Sequence, residues 1–232
     1  MSVTFSCVED FKESLSEVRI ILARAKKFQK YPREYNICIK SALLFLVAKF
    51  EVFLEDLVFE YIQMIEHQGL SPEHFPEILK LYSLDKLVSD TFVLDVRKHR
   101  SRALQTVNKI SKLCVGNEII DSIDIDKSFN YGKHGEKEII HLFSRIGIEN
   151  IFSLCDIYEM QETVSGRTRI KINLVADINS ITAHRNNILH NDITPNITHD
   201  QISLYKKHLT QFSSKIKKIL NQKLEYFVTT HC

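Results

Sequence analysis

The segment from Thr182 to Asp192 carries the side chains with the most evident capacity for chemistry. Its centre reads Arg185-Asn186-Asn187-Ile188-Leu189-His190, a polar set at the end of an apolar stretch. Asn186 and His190 are four residues apart and share a helical face, and the long Arg185 side chain can reach the same patch. An Arg pairs with anionic oxygens, and a His transfers a proton near neutral pH. The set can therefore hold a phosphodiester.

A second interpretation of this segment is a polar helix end without a ligand. Arg185 would then form a salt bridge, Asn186 and Asn191 would cap the helix, and His190 would be half-exposed. An Arg followed by a His after four to six residues arises by chance about once in a chain of this composition, so the spacing alone is weak support for a site. Both interpretations stay open on the residues of the segment alone.

The composition predicts that helices position these side chains. The chain has 232 residues with only six Gly and four Pro, whereas average usage would give roughly 16 and 12. Sandwiches and α/β folds need many tight turns, so this shortage disfavours both. Apolar residues make up 44% and charged residues 26%, which fits a folded chain with a substantial core. We expect an all-α fold in a single domain spanning residues 1–232.

Apolar residues recur at helical spacing in most of the chain. Gly69 and Gly147 are predicted to end two of the helices, and Pro195 to end the motif helix. Residues 117–135 are predicted to form a loop, and residues 156–173 either a small hairpin or a mobile loop. The predicted helices cover residues 5–28, 36–68, a short helix that starts at Ser71-Pro72, one or two helices within 84–113, then 136–146, 172–190 and 203–227.

Glu51 interrupts the most apolar stretch of the chain, between Phe50 and Phe53. A buried carboxylate without a partner is costly, so Glu51 should have one. We favour Arg185, which would make Glu51 an orienting residue for the motif. In the alternative, Glu51 lies at the edge of the apolar stripe and reaches solvent.

The overall charge predicts no general attraction to polyanions, because 31 Lys and Arg face 29 Asp and Glu. Binding of RNA would need local clusters of positive charge. The alternative for each such cluster is an ordinary lysine-rich, solvated helix surface. The residues predicted to bind RNA are Lys26, Lys27, Lys30, Arg97, Arg100, Lys206 and Lys207.

No membrane span, signal peptide, metal or cofactor is expected from the sequence. Lys49 and Glu55 join Glu51 in breaking the most apolar stretch, so it cannot cross a bilayer. The N-terminus lacks a basic region followed by an apolar run, and we expect a soluble, cytoplasmic protein. Five scattered cysteines without a Cys-x-x-Cys pair indicate reduced thiols, not disulfides or zinc ligands.

The motif segment resembles the Arg-Asn-x-x-x-His signature of the HEPN superfamily (higher eukaryotes and prokaryotes nucleotide-binding domain). Residues 43–57 look like the long helix of that family with its embedded glutamate. Residues 138–148 look like the helix that ends in an Ile-Gly-Ile turn before the motif helix. The order and spacing are similar to the bacterial MAE_28990-like and RiboL-PSP HEPN proteins, over roughly residues 36–195. Asn191 follows the motif His where many members have Gly, a difference expected to alter the local turn more than the chemistry.

The resemblance implies an up-and-down bundle of four to five main helices. The clustering of the remaining glycines between residues 116 and 166 predicts one irregular insertion in it, around residues 115–172. The resemblance also implies a homodimer in which two motif copies share one cleft and cleave RNA without a metal. His190 would be the general base on the 2′-hydroxyl or the acid on the leaving 5′-oxygen, Arg185 would stabilise the phosphorane charge, and Asn186 would orient a phosphate or the imidazole. The expected products are a 2′,3′-cyclic phosphate and a 5′-hydroxyl.

Many such enzymes are toxins or antiviral effectors, so the expected partners are RNA, a second copy, and a cognate antitoxin or a larger defence complex. Two other functions stay open. The first is a non-catalytic HEPN module that binds RNA, a nucleotide or a partner protein through the same cleft. The second is a helical assembly protein with no nucleic-acid role.

Overall fold

The computed structural model describes residues 5–88, 90–115, 118–120, 122–129, 135–163 and 166–231. These residues are mostly helical, and the prediction of an all-α fold is confirmed. The elements in chain order are α1 (Ser6–Lys27), α2 (Pro32–Glu66), α3 (Glu77–Leu87), α4 (Asp90–Lys98), α5 (Arg100–Cys114), α6 (Glu136–Ser144), α7 (Ile151–Leu154), β1 (Tyr158–Thr163), β2 (Gly166–Lys171), α8 (Leu174–Asn191) and α9 (His199–His231).

Helix α2 is the central helix of the bundle. It has 35 residues and contacts α1, α6, α8 and α9. Stacked and edge-to-face aromatic rings fill the space between α1, α2 and α9: Phe11 lies 4.6 Å from Phe53 between ring centroids, and Phe50 lies 6.0 Å from Phe212. The motif helix α8 packs against both α2 and α9. Its position is therefore set by the main core.

Helix α3 begins later than the sequence predicts. The predicted start at Ser71 is wrong, since residues 72–74 form a turn in which the Ser71 carbonyl accepts hydrogen bonds from the amides of His74 and Phe75, both 3.0 Å. The helix begins at Glu77, directly after Pro76. A proline disfavours helical geometry at the residue before it, and Phe75 is also anchored in the core, so the helix can start only beyond Pro76.

Glycines end the two predicted helices as expected. Gly69 and Gly147 have φ of +63° and +75°, values that glycine adopts without steric cost. At Gly147 a Cβ would also lie 3.1 Å from the Ile78 side chain. The turn after α6 thus needs a glycine for two reasons.

The predicted insertion over residues 115–172 combines irregular and regular structure. Residues 118–120 and 122–129 contain neither helix nor strand, and positions 117, 121 and 130–134 of the predicted loop lie outside the described residues. The buried Arg145 holds this segment, because its Nη1 donates to the carbonyl oxygens of Asp126 and Ser128, each at 2.8 Å. Residues 136–171 contain α6, α7 and the two strands.

Residues 156–173, for which the sequence allowed either a small hairpin or a mobile loop, contain β1 and β2. They pair antiparallel, with Tyr158 opposite Lys171 and Thr163 opposite Gly166, so this segment forms a hairpin. Gly166 has a φ of +124° beside the tip of the hairpin. None of the described helices has the length and apolarity needed to cross a membrane.

Candidate functional site

Helix α8 places Arg185 on its core-facing side. The buried residues of this helix are Leu174, Ile178, Ile181 and Ile188, and Arg185 continues their four-three spacing. Its side chain is therefore directed along the buried stripe, where it is half-buried. A cation at a stripe position needs a counter-charge or hydrogen bonds from neighbouring elements.

Glu51 on α2 supplies negative charge next to Arg185. The Glu51 side chain is half-buried, and burial raises its pKa from 4.5 to about 7. The positive charge of Arg185 opposes this rise, whereas the neighbouring Glu55 adds to it. The structure therefore brings together the two residues that the sequence paired, and Glu51 titrates near neutral pH. The orienting role assigned to Glu51 stays a prediction.

A small cavity lies beside Glu51. It has a volume of about 20 Å³ and is lined by Glu51 and Thr182 together with apolar side chains of α2, α6 and α8. Such a volume holds about one water molecule. The Glu51 carboxyl group thus borders a narrow, mostly apolar space inside the bundle and is not freely solvated.

Asn186 contacts Arg185 directly. The Arg185 Nη1 donates a hydrogen bond of 3.0 Å to the Asn186 Oδ1. This contact shows that the guanidinium turns toward the neighbouring face of α8, as the sequence predicted. Glu51, Arg185 and Asn186 therefore form one polar cluster, which we call the Arg185 cluster.

His190 lies one turn beyond Asn186 and outside this cluster. In an α-helix, residues five apart are separated by about 140° around the axis and about 7.5 Å along it, so His190 and Arg185 project from different sides. The His190 ring is exposed, and no described residue forms a hydrogen bond or ion pair with it. The predicted convergence of all three motif side chains is thus seen for Arg185 and Asn186, while His190 faces solvent.

The end of α8 just after His190 is fixed to α2. Asp192 adopts a left-handed conformation with φ of 50°, and its amide donates to the Ile188 carbonyl at 3.1 Å. The Lys40 Nζ binds both the Asp192 Oδ1 at 2.6 Å and the Asp192 carbonyl at 2.8 Å. This lysine holds the pKa of Asp192 below its usual value. The helix therefore ends where predicted, but Asp192 makes the turn.

Comparison with known families assigns the chain. Residues 9–222 match the RiboL-PSP-HEPN family. The chain belongs to this family. Comparison with curated proteins and with solved structures gives no match. Membership of the family supports a nuclease or RNA-binding role.

The RiboL-PSP-HEPN match covers the three segments on which the resemblance was based. Residues 43–57 lie in α2, residues 138–148 run from α6 through the turn at Gly147, and the motif occupies the last turns of α8. The packing of α8 on α2 explains why the glutamate and the motif arginine lie together although 134 positions separate them. The predicted recognition of the family is confirmed.

The predicted RNA-binding residues of this HEPN protein lie on three separate surfaces. Lys26, Lys27 and Lys30 surround the end of α1, at the same end of the bundle as the motif, because Gln29 lies 3.5 Å from the His199 ring at the start of α9. Arg97 and Arg100 lie on α4 and α5, which pack on each other, and α5 also packs on α3. Lys206 and Lys207 lie on α9.

The two α9 lysines are less available than the others. Lys207 is paired with Glu159 of β1. Burial and the nearby Arg19 lower the pKa of Lys206. Of the three surfaces, the end of α1 is the one that adjoins the motif.

Sequence reasoning missed two features near the motif. Lys40 and Asp192 pin the end of α8, and the only signal was an Asp directly after the helix, a residue type that tolerates the left-handed region. The half-buried His184, whose pKa is lowered by burial, lies on the side of α8 roughly opposite Asn186. Among the described residues, no group of three or more His, Cys, Asp or Glu is arranged to hold a metal ion.

Proposed function

We propose that this RiboL-PSP-HEPN protein is a metal-independent endoribonuclease that uses Arg185, Asn186 and His190. The observation that carries the proposal is the Arg185 cluster, a partly buried guanidinium held by an amide and a titratable carboxyl group, beside an exposed imidazole on the next turn of α8. A polar helix end without a ligand would not need a cation at a position in line with the buried residues of α8.

The proposed reaction is transesterification at a phosphodiester. The imidazole of one His190 removes the proton from a ribose 2′-hydroxyl, whose oxygen attacks the adjacent phosphorus. The bond from phosphorus to the 5′-oxygen then breaks, and that oxygen takes a proton. The products are a 2′,3′-cyclic phosphate and a 5′-hydroxyl, and no redox partner or metal enters the balance. Proton transfers of this kind contribute about 10²–10⁴ each to the rate.

Arg185 stabilises the charge that develops on the phosphorane oxygens. A positioned donor at a developing oxyanion contributes about 3–4 kcal/mol to the transition state. Asn186 fixes the guanidinium through its Oδ1. Glu51 orients Arg185 from the core side, and it does so most strongly above pH 7, where its carboxyl group is ionised.

A second copy of the chain supplies the second proton-transfer group. One copy exposes one motif imidazole, while the reaction needs a base and an acid. The α2 helix exposes Ile37, Phe45 and Val52, at spacings that place them in one stripe, and their exposed fractions are 57%, 44% and 54%. The bond from Lys40 to Asp192 places the motif end of α8 beside this half of α2. An apolar stripe next to the site favours a homodimer that joins two motifs.

Family resemblance further leads us to propose a cytoplasmic toxin or anti-phage effector, in which a cognate antitoxin or a larger defence complex restrains the nuclease. The strongest alternative is a non-catalytic module that binds RNA through the same surface.

Cleavage of a labelled RNA in EDTA tests the enzymatic proposal. The wild type should cleave, and His190→Ala and Arg185→Ala should lose on the order of a hundredfold or more of the rate. Asn187→Ala is the matched control, because Asn187 is exposed on the same helix and has no assigned role. Cleavage by either motif variant at the rate of the wild type contradicts the proposal. Tight binding without cleavage of any RNA favours the non-catalytic module.

Sedimentation with activity measurements tests the dimer. Phe45→Asp should give a folded monomer that does not cleave. Ile20→Asp is the control, since Ile20 is an exposed apolar residue of α1 with 64% exposure. A monomeric Phe45→Asp protein that still cleaves RNA would show that one copy is sufficient.

A further inference from the structure

We propose a second RNA-binding site, in the groove between the β-hairpin and α9, which takes single-stranded RNA through its phosphates and one stacked base. This groove has a volume of about 570 Å³ and is lined by both strands and the middle of α9. None of its lining residues belongs to the Arg185 cluster or to the motif. The choice of RNA as the ligand rests on the proposed function, whereas the groove itself does not.

Positive charge at the groove exceeds what its own carboxylates neutralise. Arg169 stands on the hairpin wall, and Lys215 and Lys218 stand on the α9 wall, where they are about 4.5 Å apart along the axis. All three are exposed, and no carboxylate of the described residues lies within salt-bridge distance of them.

The two acidic residues of the lining already have cationic partners. Asp156 pairs with Lys171 at 2.7 Å, and Glu159 pairs with Lys207. The hydrogen bonds from these lysines lower the pKa of both carboxyl groups, so each is ionised and compensated at neutral pH. The remaining cations are therefore available for the phosphates of a ligand.

The groove also offers a stacking surface. The Arg169 guanidinium lies over the Tyr158 ring, 3.8 Å from its centroid. Stacked guanidinium and aromatic planes are the surfaces on which proteins place unpaired RNA bases. Thr210, Gln211 and Ser214 of α9 add hydroxyl and amide groups that can bond base edges or 2′-hydroxyls. This combination favours RNA over an acidic peptide, which has no need of a stacking plane.

A buried polar cluster fixes the groove to the motif helix. His208 of α9 is only 3% exposed, and its Nδ1 lies 2.6 Å from the Asp177 Oδ2 of α8. The other ring nitrogen lies 3.4 Å from the Glu159 Oε1 of β1. The hairpin, α8 and α9 are thus joined at one point, about 12 Å along α8 from Arg185. An RNA held in the groove would therefore be held at a defined place relative to the proposed nuclease site.

Binding of a fluorescent, fully 2′-O-methylated single-stranded RNA tests this site apart from cleavage, because that RNA lacks the nucleophilic hydroxyl. Lys215→Gln/Lys218→Gln should weaken binding on the order of tenfold at about 0.1 M salt, and reduce the slope of log Kd against log salt by about 1.4. Tyr158→Leu should weaken binding about fivefold or more while leaving that slope unchanged.

The matched control is Lys109→Gln/Lys137→Gln, which removes two exposed lysines from α5 and α6. It should change the affinity less than twofold. Binding by the groove variant equal to that of the wild type, or equal weakening by groove and control variants, overturns the proposal. Competition by polyglutamate as strong as by unlabelled RNA also overturns it, since the occupant would then be an acidic protein. A groove that binds RNA in a protein that cleaves none leaves this site standing and refutes the nuclease.

Discussion

Replacing Glu51 by Gln tests the electrostatics of the Arg185 cluster. The fold raises the pKa of this carboxyl group from 4.5 to about 7, and each unit corresponds to about 1.4 kcal/mol. The full shift would give about 3 kcal/mol, and because Glu51 is partly solvated, screening reduces this to about 1–2 kcal/mol. The native state binds more protons than the unfolded state between the two pKa values, so wild-type stability falls as pH rises from about 4.5 to about 7.

Glu51→Gln should not show this fall in stability with rising pH, because glutamine does not titrate. The variant should match the wild type near pH 4.5 and be more stable by about 1–2 kcal/mol at pH 8, a difference of about 2–8 °C in Tm. Thermal and urea unfolding at several pH values measure it. Glu34→Gln is the control, because Glu34 is exposed on the same helix. Its Tm should differ little from that of the wild type at each pH.

Arg185→Gln extends the same test. Arg185 lowers the pKa of Glu51, so its removal should move the loss of stability to higher pH, and Glu51→Gln should suppress that effect. Parallel stability curves for the wild type and Glu51→Gln from pH 4.5 to 8 would refute the assignment of Glu51 as a group that titrates near neutrality beside Arg185.

Three further predictions concern the scaffold around the site. Arg145→Met removes two hydrogen bonds to backbone carbonyls, and should cost about 2–3 kcal/mol and speed amide exchange in residues 122–129; unchanged exchange would contradict this. Asp192→Ala removes the side-chain bond to Lys40 and leaves a Cβ at a left-handed position, so thermal unfolding should show a lower Tm, whereas Asp192→Gly, which has no Cβ, should lose less; equal Tm values for all three proteins would contradict this. Burial raises the pKa of Cys155 to about 12, so iodoacetamide should alkylate the exposed Cys114 first by mass spectrometry, and equal labelling would count against the packing.

The long helices could be predicted because apolar periodicity reports directly on the face that a helix buries. α1, α2, α8 and α9 each begin and end within a few residues of the prediction, and Gly69 and Gly147 mark ends as expected. The sequence predicts the start of α3 at Ser71 because a Ser-Pro pair is typical of a helix start. Pro76, a few residues later, is a second proline that can begin a helix. The sequence alone does not choose between the two prolines. The burial of Phe75 in the core places the helix start after Pro76.

The proximity of Glu51 and Arg185 could be predicted because a carboxylate inside an apolar stripe demands a partner, and few cations lie at stripe positions. The roles of Lys40, Asp192 and His208 could not be predicted, because each depends on contacts between elements that are distant in sequence. The outward direction of His190 follows from helical geometry once the buried face of α8 is known. The second proton-transfer group of the proposed reaction would come from His190 of a second copy. The sequence pattern of one chain does not show how two copies would pack together.

End-group analysis of the cleavage products tests the central claim most directly. An RNA with defined sequence is incubated with the protein in EDTA, and the new ends are identified by mass spectrometry and by susceptibility to end-specific enzymes. Our account predicts 2′,3′-cyclic phosphate and 5′-hydroxyl ends from the wild type, cleavage slower by about a hundredfold or more from His190→Ala, and no cut where the attacking nucleotide is 2′-deoxy. Ends carrying a 3′-hydroxyl and a 5′-phosphate, or the same products from His190→Ala at the rate of the wild type, would contradict it.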